Sequence, residues 1–348
     1  MIVFLSVFAS LLLFFTIMSL IKNDYWTFRV FDYPRLQKFV LSAACFTLLI
    51  IYQEEGSRVY MVFIALTGIN LVYLGWLIWP FTLFSAKQVM RIEELRPDDQ
   101  VCVMISNVYQ DNRNFKGCLS VVRKADPDVV LLLETDKAWD EGTSGLAEIY
   151  QHSIKVPLEN TYGMILYSKL ELKSSMVEYM VENDIPSIHT HIVLKSGREV
   201  QLYAVHPTPP VPNENPRSTE RDKEMLLIAD LAKESTIPVI VIGDLNDVAW
   251  SYTTELFLKM SGLLDPRRGR GFFNSFHAHY PFLRFPLDHA FISADFKLVG
   301  MKRLENFKSD HFPIYIHLQY ERSAKQDQEP MEADSQDVAL AEEKKTKE

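Results

Sequence analysis

Cysteine is scarce in this chain, with only three among 348 residues. Three cysteines are too few for a disulfide framework, and no His/Cys spacing typical of a zinc site accompanies them. The formal net charge is −9, which excludes a general basic field that would attract nucleic acid. A phosphate-binding P-loop and a G-x-S-x-G nucleophile elbow are also missing, so the sequence supports neither a nucleoside triphosphatase nor a serine hydrolase.

Charged residues are missing from two long apolar runs near the N-terminus, Ile2 to Ile21 and Val59 to Phe84. Both runs have the length of about 20 residues that is needed to cross a bilayer. A shorter apolar run, Phe39 to Tyr52, either spans with Lys38 reaching the interface or lies re-entrant. Buried core helices are the alternative, but charge-free runs this long are rare in soluble domains. We therefore expect residues 1–89 to form a membrane anchor of two or three transmembrane helices.

The number of spans decides which side of the membrane the rest of the chain occupies. With three spans, seven basic residues near the N-terminal helices lie on the same side of the membrane as the large domain, and Arg58 alone lies on the other side. These seven are Lys22, Arg29, Arg35, Lys38, Lys87, Arg91 and Arg96. The positive-inside rule then places the large domain in the cytoplasm, whereas two spans would place it outside. The arrangement with three spans is favoured.

The remainder of the chain divides into a soluble domain, residues 90–320, and a charged tail, residues 321–348, that we expect to be disordered. Apolar runs and turn residues predict eight strands and two helices in the soluble domain. The strands are Val101 to Ile105, Val129 to Leu133, Met164 to Tyr167, Ile188 to Leu194, Val200 to Val205, Val239 to Ile242, Ala290 to Ile292 and Ile314 to Leu318, and the helices are Phe115 to Lys124 and Thr219 to Ser235. This order predicts two sheets packed face to face with helices outside, an α/β arrangement.

Polar side chains recur where the predicted strands end or begin. In "VIVIGDLND" a carboxylate and an amide, Asp244 and Asn246, directly follow a buried strand. A turn is the simpler interpretation of Gly, Asp and Asn, and each of the other positions has a structural alternative such as a turn, a helix cap or a loop start. The other positions are Asn107, Glu134, His206, the pair Asp288 and His289, and the pair Asp310 and His311. Their repetition at strand ends favours a shared pocket.

Carboxylates, amides and imidazoles without cysteine suit a hard divalent cation, Mg²⁺ or Mn²⁺. Such an ion neutralises phosphoryl oxygens. An Asp beside an Asn can orient a water molecule, and a His held by an Asp can accept a proton or stabilise developing charge. The inventory therefore indicates phosphoester hydrolysis.

Six motifs carry a more specific resemblance. "ISNVY", "PDVVLLLET", "YAVHPTPP", "VIGDLND", "PLDHAFIS" and "KSDHFPI" occur in the order and rough spacing of the endonuclease/exonuclease/phosphatase, or deoxyribonuclease I-like, superfamily. The resemblance covers about Val101 to Leu318 and is greatest to a membrane-anchored bacterial branch. It implies a four-layered α/β sandwich, preceded here by transmembrane helices, and metal-dependent hydrolysis of phosphoric esters. It also implies an integral protein of the bacterial inner membrane.

The resemblance implies three residues for the metal. Glu134 matches the metal-binding Glu of the superfamily, and Asn107 matches its first-strand Asn near the metal. Asp310 matches the carboxylate next to the last His, which some interpretations make a metal ligand.

Five further residues match catalytic positions. His206 matches the His that contacts the scissile phosphate, and Asp244 matches the Asp that orients or activates the water. Asn246 matches the Asn that holds the phosphate. His311 matches the catalytic His, and Asp288 the Asp that orients or polarises it. Many members also carry an acidic residue on the preceding strand, paired with the His at the position of His206, and in this sequence Asp184 is the nearest candidate.

The segment "DPRRGRGFFNSFHAHYPFLRFPLDH" mixes arginine with aromatic residues. Basic residues among aromatic ones can bind phosphates and stack on bases, or contact a lipid surface. We therefore predict that substrate is bound by Arg267, Arg268 and Arg270. A packed loop is the alternative interpretation. The expected partners are a lipid bilayer and a phosphoester substrate, namely nucleic acid, a lipid headgroup or a small diester, with no obligate protein partner. An inactive binding or scaffold protein of the same fold is the main alternative, followed by a transporter component.

Overall fold

The structure, a computed structural model, describes residues 1–54 and 57–347. Glu55 and Gly56, in the predicted anchor, and Glu348, in the predicted tail, lie outside the described residues. Within the described residues, eleven strands form one sheet of six and one of five. The strands are β1 (Gln100–Asn107), β2 (Val129–Leu133), β3 (His152–Val156), β4 (Met164–Ser168), β5 (Glu171–Glu178), β6 (Ser187–Val193), β7 (Glu199–Val205), β8 (Val239–Asp244), β9 (Asp288–Ile292), β10 (Phe296–Arg303) and β11 (Ile314–Tyr320).

Helices flank the sheets and also precede them. They are α1 (Ile2–Met18), α2 (Trp26–Arg29), α3 (Arg35–Ile51), α4 (Arg58–Ile78), α5 (Phe115–Ala125), α6 (Lys137–Thr143), α7 (Thr219–Glu234), α8 (Tyr252–Ser261) and α9 (Ser335–Thr346). The first sheet has the order β10-β11-β1-β2-β4-β3 and the second β5-β6-β7-β8-β9. Both sheets mix parallel and antiparallel pairs, with β1 parallel to β2 and β7 parallel to β8.

Aliphatic side chains from the inner faces of both sheets form the central core, including Ile105, Leu131, Leu202 and Ile240. A second cluster lies between the outer face of β7–β9 and helices α7 and α8. A third lies between β1, β2, β4 and helices α5 and α6. The order of layers is therefore helix, sheet, sheet, helix, and the prediction of a four-layered α/β sandwich is confirmed.

Three observed strands, β3, β5 and β10, were not predicted from the sequence. Each lies at the edge of its sheet. β3 alternates half-buried and exposed residues, and most of β5 is exposed. An edge strand with one solvated face needs few apolar residues, so it produces only a weak hydrophobic signal.

The N-terminal helices pack against one another and meet the sandwich at one end. Cys45 of α3 contacts Leu5 of α1, and Asn70 of α4 donates to the hydroxyl of Ser42 at 3.0 Å. Of the described helices, one, Arg58–Phe81, is long and apolar enough to cross a membrane. The pair Trp26–Asp32 and Arg35–Ile51 would pass the same test together but is bent by 65°, and Ile2–Met18 is a shorter apolar helix.

Helix α9 differs from the disordered tail that the composition predicts. Asp334 caps it through a reciprocal capping box, and Ala341 is fully buried. The side chain of Lys344 is also buried and lies 2.6 Å from Asp24 and 2.8 Å from Asp222. The tail is ordered because its lysines neutralise buried carboxylates far away in the sequence, which composition alone does not reveal.

We expect Lys344→Met to lower the free energy of unfolding by about 3 kcal/mol, because the change leaves Asp24 and Asp222 buried with fewer cationic partners. Lys345→Met is the matched control. Lys345 pairs with the more exposed Asp230 and Glu342, so the control should cost less than about 1 kcal/mol. Denaturant unfolding of the full chain in mild detergent measures both values, and equal losses would contradict the assigned role of Lys344.

Candidate active site

The polar ends of the strands converge at one edge of the sandwich because the registers align them. Asn107 at the end of β1 lies opposite Leu133 at the end of β2, which places Glu134 beside it. In the other sheet, Asp244 of β8 lies opposite Asp288 at the start of β9. The convergence predicted from the sequence is therefore what the structure shows.

Asn107 joins the two sheets at this edge. Its Nδ2 donates to Oε1 of Glu134 at 2.7 Å and to Oδ2 of Asp244 at 3.1 Å. Asn107 is itself buried, and the hydroxyl of Ser309 donates to its backbone carbonyl at 2.8 Å. One amide thus fixes the separation of a carboxylate in the first sheet from a carboxylate in the second.

His311 lies between two carboxylates. Its Nδ1 is 2.7 Å from Oδ2 of Asp288, and its Nε2 is 3.6 Å from Oδ2 of Asp244. All three side chains are buried. Burial lowers the pKa of His311, but Asp288 and Asp244 outweigh it and raise the pKa to about 10. The imidazole is therefore charged at neutral pH and can donate to a phosphoryl oxygen from Nε2.

His206 has the opposite protonation. Burial, with a contribution from the charged His311, lowers the pKa of His206 to about 4, although Asp244 acts against this. Its Nδ1 is buried without a hydrogen-bond partner among the described residues. Asp184 is exposed and accepts from Asn160, so it does not supply the acidic partner considered from the sequence. His206 is thus a neutral imidazole beside the charged His311.

Asn246 connects the loop after β8 to the loop after β7. Its Nδ2 donates to the carbonyl of Pro207 at 3.0 Å, and its backbone N–H donates to Oδ1 of Asp244 at 3.0 Å. Its φ is 50°, in the left-handed region, which asparagine tolerates better than most residues. The turn predicted at this motif and the proposed site are therefore the same feature.

Gly243, directly before Asp244, permits a close approach of β7 to β8. A Cβ at this position would lie 1.8 Å from the carbonyl oxygen of Val205, and its φ is 154°. No other residue fits without moving β7, so the sequence Gly-Asp positions the carboxylate beside His206.

The donor set fits a hard cation. Burial raises the pKa of Glu134 to about 7, with Asp310 adding to the rise and the hydrogen bond from Asn107 opposing it. Oδ1 of Asp310 is buried without a hydrogen-bond partner in the described part of the chain. A divalent cation bound by oxygens would stabilise both carboxylates in their charged form. Asp244, Asp288 and His311 also have ligand atoms within 4.8 Å of one another, a second possible metal site.

The three arginines predicted to bind substrate make contacts within the protein. Arg267 is buried, pairs with Asp265 at 2.8 Å and contacts Nδ1 of His289 at 2.7 Å. Arg270 donates to the backbone carbonyls of Pro266 and Val89. Arg268 stacks 5.6 Å from the ring centroid of Phe81. The hydrogen bonds of Arg267 and Arg270 favour structural roles for these two residues. Arg268 is half-buried and its side chain makes only a stacking contact among the described residues, so its binding of substrate stays a prediction.

Asp247, which follows Asn246, is the centre of a buried ionic cluster. Its Oδ2 accepts from Ser251 at 2.6 Å and from Thr253, and it lies 3.3 Å from both Arg29 and Arg221. Arg221 also donates to the carbonyl of Asn246 at 2.7 Å. Two buried arginines therefore stabilise the loop that follows β8.

The segment between α1 and α3 is part of this cluster. Tyr33 donates from its hydroxyl to the carbonyl of Asn246 at 2.9 Å. Asp32 pairs with Arg29 at 3.0 Å and with Arg35 at 3.2 Å, and its carbonyl accepts from the indole of Trp250. These supporting residues were missed from the sequence, because a basic residue beside an apolar run is read as a topology signal rather than as a buried partner.

Comparison with known proteins places this site in a family. The model of the Endonuclease/Exonuclease/phosphatase family matches residues 104–311. The chain belongs to this family. Family members are metal-dependent phosphoric ester hydrolases, and the prediction of that enzyme class is confirmed. The family assignment predicted from the six motifs is confirmed as well. A comparison with curated proteins gave no match.

Solved structures of the family share the fold. D. rerio TDP2, complexed with a single-strand DNA product, is 18% identical with a TM-score of 0.54, covering 64% of this chain and 100% of that chain. An endonuclease/exonuclease/phosphatase from Beutenbergia cavernae is 17% identical with a TM-score of 0.52, covering 64% and 72%. A family protein from Bacteroides thetaiotaomicron is 18% identical with a TM-score of 0.51, covering 64% and 98%. The N-terminal helices lie outside the family match.

We expect Tyr33→Phe to lower kcat for phosphoester hydrolysis by about fivefold, since it removes one hydrogen bond of about 1 kcal/mol that positions Asn246. Thermal unfolding should change little. Tyr25→Phe is the control, because the Tyr25 hydroxyl makes no hydrogen bond within the described residues. Steady-state kinetics in detergent measure kcat for both variants. A Tyr33 variant with the same kcat as the Tyr25 variant would show that Tyr33 does not position Asn246.

Proposed function

We propose that the protein is a membrane-anchored, divalent-metal-dependent phosphodiesterase of the nuclease type. The observation that carries this proposal is the buried bridge from Glu134 through Asn107 to Asp244, with His311 charged beside it. It supplies anionic oxygens for a cation and, within a few ångströms, a carboxylate and an imidazolium for the reacting phosphate.

Glu134, Asp310 and Asn107 are the proposed metal-binding residues, and Mg²⁺ or Mn²⁺ is the proposed ion. When bound, the ion supplies positive charge that stabilises the phosphoryl oxygens in the transition state. The preference for Glu134 over the group of Asp244, Asp288 and His311 rests on the 2.7 Å contact between Asp288 and His311. That contact is a hydrogen bond from a charged imidazole, whose protonated ring nitrogens have no free lone pair for an ion.

Asp244 is proposed to orient and activate the attacking water. Asn107 and His311 approach its Oδ2, while its Oδ1 accepts from the backbone of Asn246. His311 donates to a phosphoryl oxygen, and the neutral His206 contacts the phosphate from the adjacent loop. Asn246 positions both loops. Asp288 accepts a hydrogen bond from Nδ1 of His311, which leaves Nε2 free to donate to the reacting phosphate.

Membrane anchoring is supported by the outward faces of the N-terminal helices. In α4, Ile69, Val72 and Trp76 are exposed by 67%, 75% and 70%. Side chains of this kind are stable in hydrocarbon and unfavourable in water. Helices α1, α3 and α4 alternate in direction, and Arg58 lies at the end away from the sandwich. We propose three spans, with the bent pair and the shorter helix Ile2–Met18 crossing beside Arg58–Phe81. The basic residues on the opposite side favour a catalytic domain on the cytoplasmic face of a bacterial inner membrane.

A binding protein that has lost catalysis is the second candidate. It is favoured by one observation, that His206 has no acidic hydrogen-bond partner in the part of the chain that the structure describes. Nucleic acid, a lipid headgroup and a small diester remain the proposed substrates of the enzyme, and no obligate protein partner is proposed.

We expect Asp244→Asn and His311→Ala each to lower kcat on a chromogenic phosphodiester by at least about 100-fold, because each removes a group that acts on the reacting atoms. His191→Ala is the matched control. His191 lies on β6, away from the site, and pairs with Glu199, so it should retain activity. Assays of the full chain with Mg²⁺, before and after chelation, measure the loss. Full activity in either site variant, or with chelator, would exclude the proposed chemistry.

We expect Glu134→Gln to raise the Mg²⁺ concentration for half-maximal activity by at least about tenfold, because it removes one anionic ligand. A metal titration of hydrolysis and of Mn²⁺ binding by calorimetry provide two independent readouts. Glu159→Gln is the control, since it changes the same charge in an exposed loop. Unchanged metal affinity in the Glu134 variant would assign the ion to Asp244, Asp288 and His311 instead.

A further inference from the structure

A hairpin that connects the active site to the N-terminal helices has exposed apolar side chains at its tip. We propose that this hairpin, residues Phe276 to Phe285 and here named the rim hairpin, lies against the bilayer surface and admits phosphoester headgroups of membrane lipids to the site. The proposal rests on the proposed function, since it names the substrate class of the same catalytic residues.

The base of the rim hairpin forms one wall of the active site. Phe276 and Phe285 pair in both directions through their backbones. The ring of Phe276 lies 4.9 Å from that of His311, and the backbone N–H of Ala278 donates to the carbonyl of Asp310 at 2.6 Å. Any movement or contact at the hairpin therefore reaches two residues of the proposed catalytic machinery directly.

The tip of the rim hairpin is tied to the first turn of α3. Nε2 of Gln37 donates to the carbonyl of Phe282 at 2.9 Å. On the inner side, the rings of Tyr33 and Phe285 meet edge to face at 5.5 Å. The tip thus lies level with the residues at which α3 begins, where a membrane-spanning helix would leave the bilayer.

The tip presents large apolar side chains to solvent. Phe282 is 87% exposed, Leu283 53% and Tyr280 58%. Two more exposed apolar side chains follow α4, namely Leu83 at 75% and Phe84 at 84%. They lie close to the hairpin in the chain's fold, because the backbone N–H of Gly269, in the loop that leads to the hairpin, donates to the carbonyl of Pro80. Exposed apolar side chains grouped beside helices with apolar outer faces are typical of a surface that contacts membrane.

The charge of the chain favours lipid over long nucleic acid. The net charge is −9, and the arginines of the preceding segment are engaged in internal contacts. A polyanionic strand would therefore not meet these arginines as a free basic surface, and the exposed Lys308 is a single charge beside the site, although aromatic side chains at the tip could stack on bases. A lipid headgroup needs only its own phosphate neutralised by the site, while its acyl chains stay in the bilayer beside Phe282.

The first test measures substrate preference. The full chain is placed in nanodiscs of phosphatidylethanolamine and phosphatidylglycerol with Mg²⁺, and release of the phosphorylated headgroup is compared with hydrolysis of a soluble chromogenic diester. The double variant Phe282→Ser with Leu283→Ser should lower the ratio of lipid to diester turnover by at least tenfold. Leu95→Ser with Ile149→Ser removes two exposed large side chains near the starts of β1 and β2, at the end of the first sheet opposite the site, and should leave the ratio unchanged.

The second test locates the tip without relying on activity. Phe282→Cys carrying an environment-sensitive dye should be quenched by brominated lipid in nanodiscs, whereas dye on Leu95→Cys should not, with the unsubstituted chain correcting for Cys102. Dye at residue 282 that remains in water, or an unchanged ratio in the double variant, would overturn the proposal. Loss of single-stranded DNA cleavage in the double variant with lipid turnover unaffected would overturn it in favour of a stacking surface. Wild-type protein that cleaves no diester, with the dye quenched, would reject the phosphodiesterase activity and keep the membrane contact.

Discussion

The buried carboxylate of Asp247 is the interaction on which the geometry of the site depends. It lies directly after Asn246 in the loop that follows β8, and its charge is balanced by Arg29 from the N-terminal segment and Arg221 from α7. A buried carboxylate without such partners is strongly destabilising. The position of Asp244 and Asn246 is therefore coupled to residues more than 200 positions earlier in the chain. The N-terminal helices and the α/β sandwich therefore form one packed unit.

The bridge through Asn107 places groups with opposite protonation in one small volume. Carboxylates raise the pKa of His311, burial and the charge of His311 lower that of His206, and burial raises that of Glu134. The direction of each pKa shift follows from the charges near the group and from its burial away from water. A charged donor, a neutral imidazole and a carboxylate that favours a cation are groups suited to phosphate ester hydrolysis.

The central strands and the residues of the site could be predicted because fully buried strands are continuous apolar runs, and polar residues at their ends are conspicuous. The edge strands β3 and β5 could not, because their solvated faces weaken the pattern. Nor could β10, which is buried only over its first three residues and becomes exposed towards its end. Helix α9 and the roles of Arg29 and Tyr33 depend on partners distant in sequence, so no local pattern records them. The same reason explains Arg267, which looks free in sequence and is bound to Asp265 in the structure.

The most direct test of this account is a comparison of the fragment of residues 90–320 with the full chain. These boundaries follow the change in composition, yet they remove Arg29, Tyr33 and Lys344. Thermal unfolding and hydrolysis of a soluble diester with Mg²⁺ should be measured for both proteins. The account predicts a fragment that unfolds at a clearly lower temperature and loses at least about tenfold in kcat. A fragment equal to the full chain in both measurements would contradict it.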